Sequence, residues 1–103
     1  METMAPDRFV SLAEAKKIAR EVADYLRREY GATKVLLFGS AVEGNYVTGH
    51  SDIDIYFEGV PKECELWVLG DVLDKFPYAI DYRPAGLCHK EFRDAVLRMG
   101  VVI

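Results

Sequence analysis

Signals for several classes of protein are missing from this sequence of 103 residues. It has no apolar run near the ~20 residues that span a bilayer, and Glu2 and Asp7 stand where a secretory segment would be apolar. Acidic residues outnumber basic ones, with 17 aspartates and glutamates against 13 lysines and arginines. The resulting net charge of −4 argues against a protein that binds nucleic acid by itself. We therefore expect a cytoplasmic protein without a membrane span.

Cysteine is also sparse. Cys64 and Cys88 lack CxxC spacing and have no histidine at the spacing of a zinc finger. Two free thiols are the expected state in a reducing compartment, and a single disulfide is the alternative. Half of the residues are hydrophobic and the charged fraction is ordinary, which indicates one compact globular domain over residues 1–103.

Local signals in the first half predict a long helix followed by two strands. Ser11 and Glu14 have the spacing of a capping box, and the helix is expected to run to about Tyr30, where a glycine ends it. The near-continuous apolar run 34–38 predicts a strand covered on both faces, and residues 52–57 predict the next strand.

The second half predicts two further helices and a third strand. The first of these helices ends before Pro77 and has an apolar stripe formed by Leu66, Leu69, Val72, Leu73 and Phe76. An alternating strand, 78–83, and a last helix, 90–99, follow, so that the order is α-β-α-β-α-β-α with a very short second helix. The apolar tail 101–103 either docks against another chain or adds a short strand to its own domain.

Two carboxylates two residues apart, Asp52 and Asp54, are the most informative feature of the chain. Residues i and i+2 of a strand point to the same face, so these acids project together while Ile53 and Ile55 point into the core. Crowded acids are costly unless a cation neutralises them, and Mg2+ is the hard ion that suits carboxylate and phosphate oxygens. An exposed strand face beside a turn is the alternative reading of the pair.

Gly39 and Ser40 follow the first strand and lead into the short helix. Such a turn offers backbone N–H groups and a hydroxyl to an anion, although Ser40 could also be only an N-cap. Gly39 lies where the first strand ends and Asp52 where the second begins, yet both have to reach one site. The two strands should therefore be antiparallel neighbours in a mixed sheet.

A third carboxylate, Asp81, lies in the third predicted strand on the face opposite Ile80 and Tyr82. If that strand is adjacent, Asp81 comes beside the paired acids. Three such carboxylates could hold two ions about 3.5–4 Å apart, which stabilise the entering and leaving oxygens of a phosphoryl-type displacement. The alternatives are a solvated carboxylate or an ion pair with Arg83.

These segments resemble the nucleotidyltransferases related to DNA polymerase β, and among them the minimal nucleotidyltransferases of prokaryotes. The matching elements are Leu37-Phe38-Gly39-Ser40, Gly44, Ser51-Asp52-Ile53-Asp54-Ile55 and Ile80-Asp81. The resemblance implies an α+β nucleotidyltransferase fold like the polymerase palm, with helices packed on a small mixed sheet of three or more strands. It implies that Gly39 and Ser40 hold the triphosphate and that Asp52 and Asp54 bind the metal ions. Asp81 would complete the metal site and help to activate the attacking hydroxyl.

The resemblance also implies an Mg2+-dependent enzyme, using two ions, that takes ATP as substrate and works with a partner. Minimal nucleotidyltransferases are paired with HEPN-domain proteins, toward which they act as antitoxins and to which they can transfer AMP, so we expect a hetero-oligomer and a tyrosine acceptor. Family members often read Gly-Ser-Arg-Ala-Arg-Gly, whereas Ala41 and Glu43 stand at the two arginine positions here. A binding subunit that masks its partner without chemistry is therefore the alternative function.

Overall fold

The computed structural model describes residues 9–103, in which helices and strands alternate. Glu2 and Asp7 lie outside this range. The helices and strands, in chain order, are α1 Leu12–Tyr30, β1 Lys34–Phe38, α2 Ser40–Glu43, β2 Ile53–Glu58, α3 Glu65–Lys75, β3 Ile80–Pro84, α4 Lys90–Met99 and β4 Val101–Val102. Short 3-10 turns precede α3 and α4.

Helix α1 begins and ends on the local signals that predicted it. The Ser11 hydroxyl accepts a hydrogen bond from the backbone N–H of Glu14 at 3.2 Å, and the Glu14 carboxylate accepts one from the Ser11 backbone in return. Gly31 ends the helix with a φ of 71°, in the left-handed region that glycine tolerates. The helix packs on the sheet through small and branched side chains, namely Ala15, Ile18, Ala19, Val22, Ala23 and Leu26.

The sheet has four strands in the order β3-β2-β1-β4. Strand β1 pairs antiparallel with β2, whereas β2 pairs parallel with β3. This arrangement confirms the predicted α+β class and the mixed sheet. It also confirms the argument that the end of β1 and the start of β2 have to be neighbours.

Both faces of the central strands are covered. One face carries Val35 and Leu37 of β1 and every second residue of β2 from Ile53, and it packs against α1 and α3 in the main core. The other face carries Leu36 and Tyr56, which pack against α4 in a smaller core. Burial on two sides explains why β1 reads as a continuous apolar run.

The apolar tail forms the edge strand β4 of the domain itself. Val101 and Val102 pair antiparallel with Leu37 and Leu36, and the Ile103 N–H donates to the Val35 carbonyl at 3.0 Å. The structure therefore agrees with the second reading of the tail and adds a strand to the predicted order.

The predicted apolar stripe of α3 was partly wrong. Leu66 and Leu73 are 73% and 55% exposed, and the helix packs on the core through Val68 and Val72. Apolar residues surround most of this helix, so two neighbouring faces satisfy the i, i+3, i+4 pattern and only tertiary packing selects one. Trp67 is 76% exposed, and together with Leu66 it forms an exposed apolar patch on α3.

Cys64 and Cys88 are both free thiols, as predicted. Within residues 9–103, none of the helices combines the length and the apolar character that a membrane crossing requires.

Candidate functional site

The candidate acids meet where β1 ends and β2 begins. Asp54 pairs across the sheet with Phe38 of β1 on one side and with Asp81 of β3 on the other. The side chains of Phe38, Asp54 and Asp81 point to the face opposite the main core, because the alternate residues Ile53 and Ile55 fill that core. Asp52 lies just before β2 and is exposed.

Gly39 brings the backbone of the turn against Asp54. Its φ of 72° and ψ of −150° are accessible to glycine, and a Cβ built at this position would lie 2.1 Å from Asp54 Oδ2. The sequence predicted a glycine for close approach to a phosphate. The structure shows that the same glycine is required for close approach to the neighbouring carboxylate.

Ser40 is the first residue of α2, and Gly39 occupies the N-cap position without a side-chain cap. The expectation that Ser40 could be the N-cap was therefore wrong. Within residues 9–103 the Ser40 hydroxyl makes no hydrogen bond, so it is available to an anion at the turn.

The electrostatics of the site are dominated by negative charge around Asp54. Burial raises the pKa of Asp54 to about 6, and the nearby carboxylates of Asp81 and Asp52 add to the increase. No hydrogen bond to the Asp54 carboxylate is formed by the part of the chain that the structure describes. The Asp54 carboxylate is thus half-buried among other acids, and a bound cation would stabilise its ionised form.

Asp81 is not free in this structure. The Nε and Nη2 atoms of Arg83 both donate to Asp81 Oδ2, at 3.2 and 3.0 Å. Among residues 9–103, no group of three His, Cys, Asp or Glu side chains is gathered closely enough to hold a metal ion. The three predicted acids are neighbours, but the third is engaged by an arginine.

The donor chemistry nevertheless fits a divalent cation. Mg2+ is usually bound by one or two carboxylates, with substrate phosphates and waters filling its other positions, so it does not require a closed cage of protein ligands. Asp54, with its raised pKa and unpaired carboxylate, and the exposed Asp52 offer two such oxygen donors beside the turn.

Sequence reasoning missed an aromatic cleft beside the acids. Phe38 and Phe92 meet edge to face with ring centroids 5.6 Å apart, and a cleft of about 130 Å³ next to Gly39 is lined by these rings and by Met99. The Arg83 guanidinium lies over the Phe92 ring at 5.4 Å. Phe38 adjoins the glycine turn in sequence, but nothing in the sequence indicates that α4 brings Phe92 to it.

Comparison with known proteins identifies one family for this chain. The family model of the nucleotidyltransferase domain matches residues 19–101. Among solved structures, the crystal structure of a candidate nucleotidyltransferase from Sulfolobus solfataricus is similar, with 25% identity and a TM-score of 0.60 over 88% of this chain and 80% of that chain. No curated protein matches the sequence.

Proposed function

The chain belongs to the nucleotidyltransferase domain family, and from this premise we propose that it transfers AMP from ATP to a hydroxyl of a partner protein in an Mg2+-dependent reaction. The family supports nucleotidyl transfer in general. The metal, the nucleotide and the acceptor are the proposed parts, and the residues of the acidic face support them.

The observation that carries the proposal is the environment of Asp54. Its carboxyl is half-buried against the Gly39 turn, and burial and two acidic neighbours raise its pKa to about 6. Such crowding destabilises a fold unless a ligand compensates it. A surface that only binds another protein gains nothing from this arrangement.

Each residue then has a defined task. Asp52 and Asp54 would hold the divalent ion, and Gly39 and Ser40 would contact the triphosphate through the backbone and the hydroxyl. A bound ion neutralises charge that develops on the phosphate oxygens. Asp81 would accept the proton of the attacking hydroxyl. The hydroxyl oxygen then forms a bond to the α-phosphorus of ATP, and the bond from that phosphorus to pyrophosphate breaks.

We further propose that the acceptor is a tyrosine of a HEPN-domain protein, bound to this chain in a hetero-oligomer. The resemblance to minimal nucleotidyltransferases motivates this partner. The cleft beside Gly39 supports it, since its walls include Phe38, Phe92 and the 55% exposed Met99, a surface suited to an aromatic side chain, with Glu43 also in the lining. The net charge of −4 argues against nucleic acid as the acceptor.

A second candidate function is an antitoxin subunit that binds and masks its partner without chemistry. Two observations favour it: Asp81 forms an ion pair with Arg83, and the segment 40–43 contains no lysine or arginine to bind phosphate. The two candidates make different demands on the acids, because masking does not need them ionised.

Mass spectrometry of the partner separates the two candidates. The chain is incubated with Mg2+, ATP and a HEPN-domain protein as the candidate partner, and that partner is expected to gain adenylate units. The double variant Asp52→Asn, Asp54→Asn should abolish the gain, whereas the control Asp24→Asn, Asp74→Asn on the helix surfaces should retain it. A partner that is silenced but never modified would contradict transfer and support masking.

A further inference from the structure

The turn proposed to receive the triphosphate has no positive charge of its own. Residues 39–44 contain Glu43 and no lysine or arginine. Asp52 and Asp54 add further negative charge beside it. A triphosphate is a polyanion, and phosphate sites in proteins ordinarily include a charge-assisted donor, most often arginine. The site as proposed so far lacks this donor.

Arg83 is the cation that the fold brings to this place. It follows Asp81 by two residues in β3, so both side chains project from the same face of the strand. Its guanidinium lies on the Phe92 ring and donates to Asp81. It also lowers the pKa of Asp54, against the burial and the acids that raise it.

We propose that Arg83 binds the triphosphate, and that it moves to the phosphates from Asp81 when a divalent ion and nucleotide enter. The proposal rests on the proposed function and adds to it a binding residue and an order of events. Before nucleotide binds, Arg83 occupies Asp81 in place of the metal ion. Afterwards Asp81 is released to the ion and the acceptor hydroxyl.

The geometry of the pair suits such an exchange. Arg83 and Asp81 are 49% and 36% exposed, and an ion pair in contact with solvent is held weakly. Both guanidinium donors bind the same oxygen of Asp81, so the pair does not form the bidentate arrangement in which each donor binds its own oxygen. A phosphate group can be bound in this bidentate way. The Phe92 ring can stay in contact with the guanidinium while the guanidinium moves from Asp81 to the phosphate.

Competition for Asp81 has a consequence that a purely structural role would not produce. Removal of the guanidinium should strengthen the binding of a divalent ion alone, since Asp81 becomes free. The same change should weaken the binding of the ion together with a triphosphate, since the phosphate contact is lost. The two effects have opposite signs.

Calorimetric titrations of Arg83→Met with Mn2+ alone, and with ATP in saturating Mg2+, test the proposal. We expect Mn2+ alone to bind several-fold more tightly and ATP about tenfold more weakly than to the unaltered chain. Arg83→Lys, which keeps the charge but loses the fork of donors, should give an intermediate ATP affinity. The matched control is Arg28→Met on α1, where an exposed arginine pairs with Glu29, and it should change neither titration.

Unchanged titrations for Arg83→Met would overturn the proposal, as would two affinities that fall together with the melting temperature. Asp54→Asn separates this failure from failure of the proposed function. If Asp54→Asn weakens ATP binding and Arg83→Met does not, only the role of Arg83 is wrong. If Asp54→Asn has no effect on ATP binding, the proposed function fails as well.

Discussion

Asp54 pairs with Phe38 and Asp81 across two neighbouring strands, and its side chain touches the turn at Gly39. At the scale of single residues, this position combines burial with two acidic neighbours. The ionised carboxylate is therefore less stable in the folded chain than in the unfolded chain. A bound cation would make the ionised carboxylate more stable in the folded chain than in the unfolded chain. The residue is therefore better suited to a ligand site than to a structural role.

The first prediction concerns pH in the absence of metal. The pKa of Asp54 is about 6 in the folded chain against an ordinary value of 3.8, so the folded chain binds more protons than the unfolded chain between these values. Its contribution to stability should therefore fall as the pH rises from about 4 to about 6. Asp54→Asn should remove this decline and raise the melting temperature at neutral pH.

Thermal unfolding in a chelator across this pH range measures the effect. The control is Asp74→Asn, an exposed acid of α3. Melting curves for Asp54→Asn that stay parallel to those of the unaltered chain at every pH would show that Asp54 is not destabilised by ionisation.

The second prediction compares two glycines with positive φ. Gly39→Ala introduces a Cβ into Asp54 as well as backbone strain, whereas Gly44→Ala introduces strain alone, because nothing lies within 4 Å of its Cβ. We expect Gly39→Ala to destabilise by about 1–3 kcal/mol more than Gly44→Ala. Urea unfolding of the two variants gives this difference directly.

Asp54→Gly in the Gly39→Ala background completes the comparison. It should recover most of the excess loss, since it removes the carboxylate that the new methyl group contacts. Equal losses in Gly39→Ala and Gly44→Ala would mean that the turn does not press on Asp54.

At the scale of elements, the parts predicted correctly are those with local signals. The capping box at Ser11 fixed the start of α1, and apolar spacing fixed α4 at residues 90–99. The need for one shared site predicted the antiparallel pair of β1 and β2. The position of Asp81 beside Asp54 was expected only if the third strand was adjacent, and the parallel pairing of β2 with β3 meets that condition.

Features that depend on tertiary packing were not predictable. A two-residue strand has no periodicity, so the sequence could not decide whether 101–103 would pair with β1. The buried face of α3 and the approach of Phe92 to Phe38 depend on where whole helices pack. The sequence offered Arg83 as one possible partner of Asp81, and only the geometry selects it.

The third prediction belongs to β4. Deletion of residues 101–103 removes the pairing with β1 and the contact between the Arg27 guanidinium and the Ile103 carbonyl. We expect a clear fall in the melting temperature, because the edge of β1 loses its hydrogen-bond partners. Val102→Thr, at an exposed position of the same strand, should leave stability nearly unchanged.

Differential scanning calorimetry and size-exclusion chromatography together give the answer. If the deletion left the melting temperature unchanged but abolished association with another chain, the tail would be an interface and not a stabilising strand.

At the scale of the whole molecule, the sheet separates two surfaces. The exposed apolar patch of α3, with Leu66 and Trp67, belongs to the helix that packs on the main core. The acids, Gly39 and the aromatic cleft lie at the opposite face, beside α4. Under the proposed function, nucleotide and metal would therefore bind on one side of the sheet only.

The most direct test of that assignment is paramagnetic broadening of amide NMR signals by Mn2+ with ATP. The account predicts that the signals of Gly39, Asp54 and Asp81 broaden first, and that the amide signal of Trp67 on α3 stays sharp. Asp54→Asn should suppress the selective broadening at the same Mn2+ concentration. Broadening centred on another surface, or none at any of the three residues, would contradict the account.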